Sequence, residues 1–175
     1  VSKSPSDATD GYIYNEEVTL TATPKQAVAT AYFMRWEDGQ GVVKSTSASY
    51  TFNVTENVTL KAVFAEVAVI DRGIDSGSTG TGAITATVTR GGVDVAETDV
   101  RIGDHVLITL AGTSKKPSSI TVGGVEVPCT PAQDGKVWTY EFDYSGSESL
   151  TFRATFSGDA VIVSRTVSVE VKNGQ

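Results

Sequence analysis

Apolar residues along this chain recur at every second position, and the three-to-four-residue spacing of an amphipathic helix is hard to find. From Val18 to Thr23 one face carries Val18, Leu20 and Ala22, and the other carries threonines. The same alternation puts Tyr50, Phe52 and Val54 on one face and repeats from Val58 to Phe64. Each segment reads as a strand with one side on a core and the other in water. Ala31 to Trp36 is a fourth apolar stretch, closed by the turn signal Asp38-Gly39-Gln40-Gly41. Gln26 to Thr30 has room for one short helical turn, and no longer helix is expected.

Between Asp71 and Gly82 the alternation lapses. Gly73, Gly77, Gly80 and Gly82 stand among Ser and Thr without an apolar stripe, the composition of a linker or of a loop leading into a second domain. Beyond it the strands return. Gly91-Gly92 separates the run Ala86 to Arg90 from Val93 to Val95, and Gly123-Gly124 separates Ile120 to Val122 from Val125 to Val127. A Gly pair supplies the positive φ angles of a two-residue hairpin turn. Arg90 is therefore expected opposite Val93, Val122 opposite Val125 and Ile120 opposite Val127, which keeps the four apolar residues of the second hairpin on one face. Three further sets alternate inward: Val106, Ile108, Leu110; Trp138, Tyr140, Phe142, Tyr144; and Leu150, Phe152, Ala154, Phe156. A last strand is expected from Val161 to Val171. Roughly seven short strands in about 100 residues is the count of an immunoglobulin-like sandwich. The predicted architecture is all-β: a small β domain over residues 1–68, a linker or leading loop over 69–82, and an immunoglobulin-like β-sandwich over 83–175.

Charge narrows the function. The net charge is −7, and an acidic surface repels phosphate, so no nucleic-acid partner is expected. The densest basic spot, Lys115-Lys116, precedes Pro117 and reads as a loop. The single cysteine, Cys129, has no internal disulfide partner. No apolar run approaches the roughly 20 residues of a membrane span, and nothing resembles a signal peptide. The chain reads as a piece of a longer polypeptide, with neighbouring domains as its nearest partners.

Four motifs recur in a recognisable order. Gly11-Tyr12-Ile13-Tyr14 leads into Val18-Thr19-Leu20-Thr21-Ala22-Thr23-Pro24, then come Phe33-Met34-Arg35-Trp36-Glu37-Asp38-Gly39, Tyr50 to Val54, and Val58 to Phe64. This resembles the divergent internalin-type B-repeat of bacterial surface proteins, over about residues 10–66. In that family a strand usually precedes the first glycine, whereas residues 1–9 carry little strand pattern, and Ala29-Thr30-Ala31-Tyr32 stands where a Gly-Tyr is usual. The segments Ile120 to Val127, Lys136 to Phe142, Leu150 to Phe156 and Thr166 to Val171 are similar to a bacterial immunoglobulin-like domain, over about residues 80–172. Both resemblances imply spacers, stalks or adhesive arms of exported bacterial proteins, extracellular or on the cell surface, without an active site.

The residues that could carry chemistry are few. His105 is the only imidazole, at a strand start beside Asp104, and a catalytic triad or an activated Cys129 would need it beside a nucleophile. Zinc requires three or four ligands, and the chain has one His and one Cys. Asp7 with Asp10, and Asp71 with Asp75, are the only groupings suggestive of calcium, and no calcium-loop signature accompanies them. No cofactor and no metal site is expected. Trp36 and Trp138 read as core. Tyr12, Tyr14 and Tyr32 lie nearer loops and are the candidate binding residues for an unidentified surface ligand, protein or glycan. Asn53-Val54-Thr55 and Asn57-Val58-Thr59 match the N-glycosylation acceptor pattern, idle in a bacterial protein. The expected role is a non-catalytic structural or adhesive module. The alternatives are a carbohydrate-binding accessory region of a secreted enzyme and a phage decoration or fibre module. A Lys–Asn isopeptide crosslink needs a buried Lys, and Lys61 alternates outward. The intact mass of the purified chain should therefore equal its sequence mass. A mass lower by one ammonia contradicts this.

Overall fold

A computed structural model describes residues 1–5, 11–24 and 30–162. Asp7 and Asp10, nearly all of the expected helical turn at Gln26–Thr30, and nearly all of the strand expected from Val161 to Val171 lie outside the described residues. The described chain is all-β and divides into two compact units at the Val67–Ala68 junction.

The first unit holds strands β1 (Ser2–Ser4), β2 (Glu16–Thr21), β3 (Ala31–Asp38), β4 (Val43–Ser45), β5 (Ser49–Val54) and β6 (Leu60–Glu66). They form two three-stranded antiparallel sheets, ordered β1-β2-β5 and β4-β3-β6. The strand missing from the pattern of residues 1–9 is present: β1 pairs with β2, Lys3 opposite Leu20. Its Ser-Lys-Ser composition hides it, because an exposed edge strand has little apolar face to show.

In β3 a bulge corrects the parity of the sequence. Phe33 and Trp36, three apart, would fall on opposite faces of an unbroken strand. Pairing with β6 jumps from Phe33–Phe64 to Arg35–Val63, which inserts one residue. Both rings then lie on one face, 5.7 Å apart, and Phe33 meets the edge of Phe64 at 5.8 Å. The turn after β3 is held by Asp38, whose Oδ1 accepts from the backbone N–H of Gln40 at 3.0 Å and of Val42 at 2.9 Å. Lys44 reaches the other carboxylate oxygen, and its hydrogen bond, followed by that of Val42, holds Asp38 below the usual carboxylate range.

The second unit holds β7 (Asp71–Ile74), β8 (Gly82–Arg90), β9 (Val93–Val95), β10 (His105–Gly112), β11 (Lys115–Val122), β12 (Val125–Glu126), β13 (Thr130–Pro131), β14 (Val137–Asp143) and β15 (Thr151–Ala160). A five-stranded sheet, β13-β14-β10-β8-β9, packs on a four-stranded one, β12-β11-β15-β7. One continuous core fills the space between, with Val106, Ile108, Leu110, Ile120, Phe152 and Phe156 wholly buried. Trp138, Tyr140, Phe142 and Tyr144 pack against it as the alternation predicts. Both Gly-Gly hairpins form with the expected register, and all four glycines have positive φ. Val125 keeps its expected place opposite Val122 but stays 69% exposed.

Two polar segments behave differently from their reading as loops. Asp71 to Ile74 is a strand, paired parallel to β15 some 80 residues later, and two ion pairs anchor it: Arg153 to Asp71 at 2.7 Å and Arg72 to Glu97 at 2.9 Å. Gly82 is a packing requirement. A Cβ there would come within 2.3 Å of the Phe156 ring. Lys115-Lys116-Pro117 opens β11, not a loop. Pro117 is buried where the register with β15 shifts, the place in a sheet where a missing N–H does least harm.

Asp104 is the charged residue buried deepest, 1% exposed. Arg90 donates to it bidentately through Nε and Nη2, each at 2.8 Å, and the Arg101 backbone N–H donates at 2.8 Å. Arg90 also reaches the Asp99 carbonyl at 2.7 Å. The pair thus ties the end of β8 to the loop entering β10. Asp104→Ala should remove about 2–3 kcal/mol of stability, since it strips charged hydrogen bonds from partly buried donors. In urea titration the second unit's transition should move to lower denaturant while the first unit's stays in place.

Candidate functional site

The first unit does not close over its own interior. A groove of about 730 Å³ opens between its sheets, lined by Val18 and Leu20 of β2, Phe52 and Val54 of β5, and Leu60 of β6. The inner face is covered unevenly. Val18 is buried, whereas Tyr50, Phe52 and Val54 on the neighbouring β5 stay only half-buried. Trp36 lines the groove at 1% exposure, and its indole Nε1–H has no hydrogen-bond partner among the described residues. A buried donor without an acceptor costs on the order of 1–3 kcal/mol. It is therefore a position at which an incoming acceptor gains more than it would in water.

Tyr12 and Tyr14 both reach this groove, and Tyr32 does not. Tyr12 donates its hydroxyl to the Pro5 carbonyl at 3.2 Å, and the Lys3 ammonium lies 5.9 Å from its ring centre. Tyr14 stands at the rim, 77% exposed. Tyr32 sits on β3 opposite Ala65. The loop position of Tyr12 and Tyr14 was legible in the sequence from their glycine and polar neighbours, whereas Tyr32, expected nearer a loop, stands within β3. The orphan N–H of Trp36 was not legible, because its burial and its lack of a partner depend on both sheets at once.

The groups with reactive potential are scattered. His105 lies on the outer face of its sheet, its Nδ1 2.9 Å from Asp143 Oδ1 and its Nε2 3.6 Å from Glu141. Cys129 packs against the core on the opposite face, and burial, then Glu126, pushes its thiol up, away from the nucleophilic thiolate. The Asp71–Asp75 pair is engaged elsewhere. Asp71 takes Arg153, and Asp75 accepts from the Gly77 N–H at 2.7 Å. Among the described residues no three His, Cys, Asp or Glu side chains cluster as a metal site, and no helix is long and apolar enough to cross a membrane.

With this geometry in place, comparison with known families becomes informative. Residues 4–68 match the family model of the divergent InlB B-repeat domain. The match covers β2 to β6 and the groove between them, and it ends where the first unit ends. No family match covers the second unit. No curated protein and no solved structure matches the chain. The B-repeat is a non-catalytic structural module.

The hydrogen bond that the His105 ring donates to Asp143 raises its pKa above the usual 6.5; desolvation opposes this, and the charge of Glu141 adds to the rise. The charged imidazole is the stabilised form. Its contribution is complete below pH 6.5 and disappears as pH rises through the raised value. In an NMR titration the His105 ring should turn over above 6.5, and Asp143→Asn should bring the midpoint down.

Proposed function

We propose that this chain is a non-catalytic structural or adhesive module of a bacterial cell-surface or secreted protein, made of a B-repeat followed, after Val67, by a β-sandwich that takes in β7. The observation that carries this reading is how the side chains are spent. The second unit's apolar faces go into one core, and among the described residues His105 and Cys129, on which chemistry would depend, lie apart: His105 pairs with Asp143 on the outer face of its sheet, and Cys129 packs against the core. The B-repeat match adds the context, since that family is associated with bacterial surface proteins.

The second unit is immunoglobulin-like in its two-layer architecture. Strands β8, β10, β14 and β13 stand side by side as strands A, B, E and D do in an immunoglobulin constant domain, and β11 pairs with β15 as C does with F. Tyr12 and Tyr14, at the groove, are the proposed contact residues.

Antibodies raised against the chain should label intact cells of the encoding organism, or precipitate the parent protein from its medium. Labelling confined to permeabilised cells would sink the extracellular assignment.

A further inference from the structure

A sheet edge is a row of unpaired backbone groups, and proteins blunt such edges with charge, proline or brevity. The four sheets have eight edges among the described residues, and seven are blunted in this way. β1 carries Lys3, β4 Lys44, β6 Lys61 and Glu66, β7 Asp71 and Arg72, β9 Asp94, β12 Glu126, and β13 Pro131. The eighth is β5, Ser49-Tyr50-Thr51-Phe52-Asn53-Val54. It runs six residues without a charge or a proline.

We propose that the β5 edge and the groove beside it form a receptor for an extended, uncharged peptide that adds to the sheet as a strand. Four observations meet there. Among the described residues no strand pairs with the outer edge of β5. The inner-face residues Tyr50, Phe52 and Val54 remain half-exposed, as they would if the strand that covers them were supplied by a partner. The groove takes up Phe52 and Val54 in its wall, so every second side chain of an added strand would drop into it. The Trp36 Nε1–H waits inside for an acceptor, which an inward amide or hydroxyl oxygen supplies.

Charge selects the partner's character. On a chain of net charge −7 the groove lining holds one cation, Lys3, and one anion, Glu56. The two offset one another, so the lining favours neither an acidic nor a basic partner over a neutral one. Tyr14, Thr55 and Asn57 in the lining could also hydrogen-bond a sugar, but the unpaired backbone of β5 matches an added strand and not a sugar. Strand addition goes beyond the spacer reading and does not depend on it.

The probe is a capped heptapeptide, Thr-Val-Thr-Gln-Thr-Val-Thr, titrated into the isotope-labelled full chain. The Trp36 indole N–H should shift downfield and saturate together with the β5 amides, while the Trp138 indole stays in place. Replacing the peptide Gln by Leu should keep the β5 shifts and abolish the indole shift, a control that leaves the protein intact. Replacing both peptide Val by Glu should weaken binding at least tenfold. Thr51→Lys, which gives β5 the blunting charge of the other edges, should do the same with the unbound spectrum otherwise unchanged. The proposal is overturned if neither probe site responds at millimolar peptide, or if the Glu peptide binds equally. It is also overturned if a neutral oligosaccharide saturates the groove in place of the peptide, or if ultracentrifugation shows a dimer whose formation alone accounts for the β5 shifts.

Discussion

A sheet with one apolar face has to bury that face, and a three-stranded sheet has little area with which to do it. The two units meet this constraint with different success. In the second, five strands over four interleave Ile108, Leu110, Ile120, Phe152 and Phe156 until the centre is dry. In the first, three strands face three, and the buried apolar residues are Val18, Ala22 and Trp36. One large ring does most of the filling. The bulge in β3 serves that end by turning Phe33 and Trp36 to the same side. The consequence is a wall complete at β2 and open at β5.

The sequence carried the alternation, and alternation was enough to locate most strands and their inward residues. The Gly-Gly hairpins were legible to the residue because the demand for positive φ is local and only glycine meets it freely. What was hidden depended on partners distant along the chain. β7 looks like linker because its composition is polar, yet it is held by β15 and by Arg153. Gly82 looks like flexibility and is contact with Phe156. The bulge at Phe33–Arg35 exists only relative to β6. Of the candidate site, Tyr12 and Tyr14 could be read from their loop, whereas the groove and the unpaired Trp36 donor follow from which inner faces remain uncovered.

The sandwich has no internal disulfide, and the packing of Trp138 and the phenylalanines does not hold it alone. A buried ion pair shares that work. Arg90 and Asp104 engage in the planar two-point geometry that only guanidinium and carboxylate provide. Hydrophobic residues of equal volume would stabilise such a site as well or better. They could not fix the register of the loop, because apolar contact lacks direction. The pair holds the Asp104 carboxylate, the Arg101 N–H and the Asp99 carbonyl in one arrangement. That arrangement sets where β10 begins, and β10 is the central strand of its sheet.

Edge chemistry connects this architecture to use. A module built into a surface array meets other β-rich modules at high local concentration, where any open edge invites indiscriminate pairing. Among the described residues the second unit closes that route on all four of its edges, by strands of two to four residues that carry charge or proline. Such protection imposes a constraint of its own, since an edge blunted against every neighbour is also closed to a wanted one. If a module of this kind is to hold a partner by strand addition, one edge must stay unguarded, and selectivity must come from what lies beside it. In the first unit the unguarded edge and the partly filled interior are neighbours. Side chains entering the groove can then decide which strands the open edge accepts.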